Sequence, residues 1–160
     1  MSLTIPERYK VVSAVAGNVT TNGGVTSDII SLRDAHKVTI LVTYLQAATH
    51  ATVLTPVTGI SIASCATAIT FSARWWKNAD ISSTDTLVAQ TAATTMSATA
   101  GVTNQLLVIE IDPQDIIAQS STYNCLGFTI ATSGEATNFV TATYLIETRF
   151  QQATPPVVIV

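Results

Sequence analysis

The stretch His36-Lys37-Val38-Thr39-Ile40-Leu41-Val42-Thr43-Tyr44-Leu45-Gln46 alternates. Val38, Ile40, Val42 and Tyr44 are apolar, Lys37, Thr39 and Thr43 face the other way, and only Leu41 and Leu45 break the pattern. A period of two marks a β-strand with one buried face, because successive side chains on a strand point to opposite sides.

The same rhythm recurs along the chain. Ile69, Phe71, Ala73 and Trp75 form one face against Thr70, Ser72 and Arg74, with Trp76 out of phase. Leu107, Ile109 and Ile111 alternate with Glu110 and Asp112 until Pro113 ends the run. Tyr123 to Thr132 sets Leu126, Phe128 and Ile130 against Gly127 and Thr129. Asn138 to Phe150 sets Val140, Ala142, Tyr144, Ile146 and Phe150 against Thr141, Thr143, Glu147 and Arg149. Fainter candidates are Tyr9 to Ala16, Thr26 to Leu32, Thr58 to Ser64 and Thr86 to Gln90. Turn chemistry separates them at Gly17-Asn18, Asn22-Gly23-Gly24, Lys77 to Ser83, Ala100-Gly101 and Ser133-Gly134. The pattern predicts an all-β fold: a single antiparallel β-sandwich, jelly-roll-like, with at most one short helix. That helix is Pro113 to Gln119, with Asp112 as N-cap and Pro113 at the first helical position.

Composition agrees. Thr, Val and Ile, all β-branched, supply 58 of the 160 residues. Hydrophobic residues make up 48% and charged ones 11%, with a net charge of −3. Disorder needs the opposite balance, and seven basic residues leave no electrostatic footprint for nucleic acid. The length predicts one domain over residues 1–160, with extended arms at 1–10 and 151–160. The uncharged stretches Tyr44 to Ala73 and Thr86 to Ile109 are too diluted by Thr, Ser, Gln and Asn to be membrane spans. Met1 to Lys10 carries Glu7, Arg8 and Lys10, so it does not read as a secretory signal. Cys65 and Cys125 are then expected to be reduced thiols, with a disulfide as the alternative.

Catalytic chemistry finds little to work with. His36 shares a strand face with Asp34, but two ligands do not make a metal site. His50 falls in an expected surface loop. Glu110, Asp112 and Asp115 offer paired carboxylates of the kind used in glycoside hydrolysis, but a strand's polar face explains the first two. No nucleophile elbow or phosphate-binding glycine loop is present. The reading is therefore of a non-enzyme without metal or cofactor.

Two features point to partners. Trp75 and Trp76 face opposite ways on a strand, so one of them stands outside the core, and Trp76 is the candidate. After Thr154, Pro155, Pro156, Val157, Val158, Ile159 and Val160 form an extended apolar segment that either folds back as an edge strand on its own domain or pairs with a neighbouring subunit by strand addition. Surfaces of Thr, Ser, Ala and Gln do not resist such pairing as Lys-rich edges do.

The succession ISLRDAHKVTILV (30–42), WWKNADISSTDTLVAQ (75–90), LLVIEIDPQDI (106–116) and YNCLGFTIATSGEATNFVTATYLIETRFQQATPP (123–156) resembles small structural virion proteins of tailed bacteriophages. Some of these are jelly-roll capsid decoration, or cement, proteins. The resemblance covers most of the chain and carries no catalytic motif. It implies a protein made in the host cytoplasm that binds the outer capsid surface as a dimer or trimer. Its partner would be the major capsid protein, with no nucleic acid and no membrane involved. A head-to-tail connector or tail protein is the alternative within that class, and a carbohydrate-binding β-sandwich using an exposed Trp is the alternative outside it.

Overall fold

The structure, a computed structural model, describes residues 5–149. Its strands are β1 (Tyr9–Thr20), β2 (Val25–Thr26), β3 (Ile30–Ser31), β4 (Ala35–Gln46), β5 (Val53–Gly59), β6 (Thr67–Ala68), β7 (Arg74–Asn78), β8 (Val88–Ala89), β9 (Met96–Ser97), β10 (Asn104–Ile111), β11 (Cys125–Ile130) and β12 (Asn138–Thr148). A helical turn, α1 (Ile5–Arg8), precedes them, and α2 (Pro113–Gln119) joins β10 to β11.

One sheet runs β1-β12-β4-β10-β7-β8 and the other β2-β11-β5-β6, with β3 also on β11 and β9 also on β5. Every strand pairing is antiparallel. Taken through eight principal strands, β1-β12-β4-β10 faces β2-β11-β5-β6, and the chain passes repeatedly from one sheet to the other. That is the double Greek-key order of a jelly roll. The all-β sandwich expected from alternation is what the chain forms.

The in-phase residues meet between the sheets. Val38, Ile40, Val42 and Tyr44 of β4, Leu107, Ile109 and Ile111 of β10, and Val140, Ala142, Tyr144 and Ile146 of β12 are all buried. They pack against Leu54 of β5 and Leu126, Phe128 and Ile130 of β11. Phe128 and Tyr144 meet edge to face, with ring centroids 5.8 Å apart. At one end, buried Gln105 donates from Nε2 to Gln46 Oε1 (2.5 Å) and to the Thr99 carbonyl (2.8 Å), while its Oε1 accepts from the Thr99 N–H (2.9 Å). The buried amides are thus satisfied, as burial of polar groups requires.

Helix α2 lies where expected: the Asp112 carboxylate accepts from the Gln114 N–H at 2.8 Å, Pro113 occupies the first turn, and Ile116 enters the core. Several boundaries differ. The 69–77 run forms a strand only over Arg74–Asn78; Ala73 makes an isolated bridge with Ala93, and the Thr70 N–H is taken by the Gln119 side chain. The 26–32 run splits into β2 and β3. The turn expected at Gly17-Asn18 lies inside β1, which runs on by irregular pairing: Asn18 adopts φ 58° and its N–H is held by Thr141 Oγ1. The strand expected at 58–64 is displaced to β5, and Ile62–Ser64 is a 3-10 turn.

The arm expected over 1–10 is corrected in its described part. Residues 5–8 form α1, while Tyr9 and Lys10 open β1, paired with Glu147 and Ile146. The edge beside β12 captures them. The other expected arm, 151–160, lies outside the described residues, and with it Pro155, Pro156, Val157, Val158, Ile159 and Val160. Among the described residues, no helix is long and apolar enough to cross a membrane.

Candidate functional site

The residues that broke the alternation in sequence mark the site. On the larger sheet every second residue points away from the core, and cross-strand register arranges these in rows. One row is Trp76, Val108, Leu41, Thr143 and Ser13. The next is Arg74, Glu110, Thr39, Leu145 and Val11. Towards the other end come Leu106, Thr43 and Thr141, then Asn104, Leu45 and Phe139.

All of these side chains are half-buried or exposed. Val11 is 51% exposed and Leu45 36%, so apolar surface reaches solvent at both margins. Apart from Glu110 and Arg74 in the Val11 row, the rows between them are apolar, threonine and serine. Trp76 lies on it, half-buried beside Val108, whereas Trp75 points into the core and donates from Nε1 to the Thr91 carbonyl at 2.9 Å.

Charge is gathered at one end and internally paired. Glu110 accepts from Lys37 (2.8 Å) and from Arg74 (3.1 Å), and Glu147 from Arg8 (3.0 Å). The Glu147 hydrogen bond raises the Arg8 pKa above its ordinary value. These pairs are solvent-screened and contribute little to stability. Their effect is to leave no unpaired charge of either sign in those rows.

The second sheet treats its back differently. Val57, Cys65 and Cys125 form a small buried cluster there, with Ile29 packed against it. Gly127 makes room for this cover, because a Cβ there would meet Ile29 at 3.2 Å. Among the described residues, this cluster covers part of one outer face, and no second buried cluster lies on the other.

Two clefts adjoin at the sandwich end near Arg33. The larger, about 350 Å³, is lined by Ser31, Arg33, Ile60, Ser61, Ile62, Asn124 and Cys125. The smaller, about 180 Å³, includes Leu32, Pro113, Ile117, Tyr123 and Arg149. Arg149 is held by its N–H to the Asp34 carbonyl (2.9 Å) and by Nε to the Ala35 carbonyl (3.2 Å).

The polar residues weighed for chemistry have structural places. Glu110 is in its ion pairs, Asp112 caps α2, and Asp115 lies in that helix's first turn. His36 is exposed on β4, and the His50 carbonyl accepts from Gln46. Among the described residues no three His, Cys, Asp or Glu side chains are grouped to hold a metal ion.

Sequence reasoning reached Trp76 but passed over Val108, Leu106, Leu145 and Val11. The signal was present: Leu41, Leu45 and Trp76 were apolar in the wrong phase, and register brings such exceptions together on one face. In comparison with known proteins, no family model matches the chain and no curated protein matches it.

Proposed function

We propose that this chain is a structural, assembly-forming protein whose bare outer sheet face is covered by neighbouring subunits. In its most concrete form it is a capsid decoration protein of a tailed phage, made in the host cytoplasm and bound to the outside of the head. The observation that carries the reading is the asymmetry between the two backs: one carries a small buried cluster of its own, the other a plane of Trp, Leu, Val and Thr whose charges are confined to one end and paired. Surfaces of that kind mark interfaces. The partners are further copies of the chain, as a dimer or trimer, and the major capsid protein. The role has no catalytic step.

The mechanism is mass action: a protein that binds only the assembled shell stabilises it by RT ln(1 + [L]/Kd). Five strands spaced about 4.8 Å apart present a face of order 500 Å² in projection. A specific interface needs about 800 Å² per partner. Pro155 to Val160 supply the remaining apolar contact in this reading, added as an extended segment to a neighbour.

The test is solution mass by light scattering, followed by co-sedimentation with assembled heads. The wild type should be a dimer or trimer that binds heads. Val108→Lys should yield a monomer with unchanged melting, and deletion of residues 157–160 should weaken both association and head binding. A wild-type monomer that ignores heads overturns the proposal. Hundreds of bound copies per particle indicate decoration, whereas about six or twelve indicate a connector ring. Glycan binding abolished by Trp76→Ala would replace both with a carbohydrate-binding role.

A further inference from the structure

We infer that Cys65 and Cys125 form a two-thiol oxidation site, converted by a small disulfide such as glutathione disulfide into one intramolecular disulfide. The inference stands independently of the assembly role.

The geometry begins at Gly59. It is the cross-strand partner of Cys125, so the two residues present the same sheet face. A Cβ built on Gly59 would lie 2.8 Å from the Cys65 Cα and closer still to the Ser64 carbonyl oxygen. The loop after β5 therefore lies directly on this glycine, which sets Cys65 beside the outward side of Cys125. Opposed cross-strand residues have Cβ atoms about 4.5–5.5 Å apart. Both cysteines thus lie against Gly59 on one face, Cys125 as its cross-strand partner and Cys65 over its missing Cβ, the close approach that a disulfide with Cα atoms about 4.4–6.8 Å apart requires.

The side chains agree. Cys125 Sγ donates to the Gly59 carbonyl (3.1 Å) and to the Ser61 carbonyl (3.3 Å), while Cys65 Sγ lies 3.6 Å from the Val57 carbonyl. Both belong to the same small cluster. Burial, and next the Cys125 thiol itself, hold the Cys65 thiol well above its ordinary pKa.

Cys125 forms part of the larger cleft and Cys65 does not, so Cys125 exchanges first when the 60–66 loop opens locally. Its thiolate attacks one sulfur of glutathione disulfide and expels a glutathione thiolate, leaving a mixed disulfide. With the loop open the Cys65 thiol is no longer buried; it gives up its proton to solvent, attacks Cys125 Sγ and expels the second glutathione thiolate. The protein gives up two electrons and two protons, and glutathione disulfide becomes two molecules of glutathione.

The test treats the folded chain with glutathione disulfide, then denatures it, alkylates it and measures intact mass. The expected product is two hydrogens lighter and takes no alkyl group. Dithiothreitol should restore two alkylation sites. Closing a loop of this length should raise the melting temperature by at least about 5 °C. Cys65→Ser should stop at one glutathione on Cys125. Two alkylated thiols after treatment, two attached glutathiones or a cross-linked dimer would each overturn the inference, and all are read on the wild-type chain.

Discussion

Tyr44 and Tyr144 put two phenols into one core under different conditions. Tyr144 Oη is shared with Ser27 Oγ at 2.8 Å and donates to the Asp28 carbonyl at 3.0 Å, and the Phe128 N–H donates to the same Ser27 oxygen. Tyr44 Oη has no hydrogen-bond partner among the described residues. A buried hydroxyl without a partner costs desolvation that nothing returns. Tyr144→Phe should therefore lose about 1–2 kcal/mol in urea unfolding, while Tyr44→Phe should be neutral or slightly stabilising. Equal losses would show that the Tyr44 hydroxyl is satisfied. Burial raises the pKa of both phenols above the ordinary value, and in Tyr144 the Ser27 hydrogen bond opposes it. The unfolded chain ionises its tyrosines near about pH 10. Between that value and the folded pKa only the unfolded state gains by ionising, so this contribution is complete below about pH 10 and falls as pH rises. Of the four tyrosines, Tyr44 and Tyr144 should show tyrosinate absorbance only together with loss of near-ultraviolet circular dichroism. Ionisation of all four in a chain that stays folded would contradict this.

At the scale of elements, Gly59 and Pro56 show why β5 was hard to read. Proline argues against a strand, because it has no N–H to give a ladder. Here Pro56 lies between the two short strands on that side of β5: β9 pairs with Val53 and Leu54, β6 with Val57 and Thr58. Its carbonyl accepts from the Ile69 N–H on that same side, so the missing donor falls in the gap. Gly59 then ends the strand under the returning loop. Gly59→Ala would drive a methyl group into the Ser64 and Cys65 backbone, which cannot swing aside as a side chain would. It should cost about 1–3 kcal/mol, whereas Gly17→Ala, with open space around the added carbon, should cost much less. A comparable loss at both sites would dismiss the close approach. Strands β4, β10 and β12 were legible because each buries one face completely, so burial writes period two into the residues, whereas β1 buries only Val12, Ala14 and Val15 and reads faintly. The short strands β2, β3, β6, β8 and β9 hold two residues each, too few for any period. The candidate face was legible only as exceptions, since Leu41 and Trp76 gain their meaning from Val108 lying between them across β10.

The whole molecule has two backs, and its charge is distributed in a way that separates them. Ten acidic and seven basic residues are few for 160 positions, and on the larger sheet those that face outward collect around Glu110 and Glu147 at one end. Association through the remaining plane would bury apolar and threonine surface and bring no new opposite charges together. Screening acts on exposed charges and barely on apolar contact, while strongly hydrated anions such as sulfate favour apolar burial. The dissociation constant of the oligomer should therefore stay within about twofold as sodium chloride rises from low to roughly 0.5 M, a range over which a charge-driven contact weakens. It should tighten in sulfate at the same ionic strength. Sedimentation equilibrium across both salts measures this. An oligomer that dissociates in sodium chloride would place the contact at the Lys37, Arg74 and Glu110 end of the sheet, because only there does the face carry charge for salt to screen.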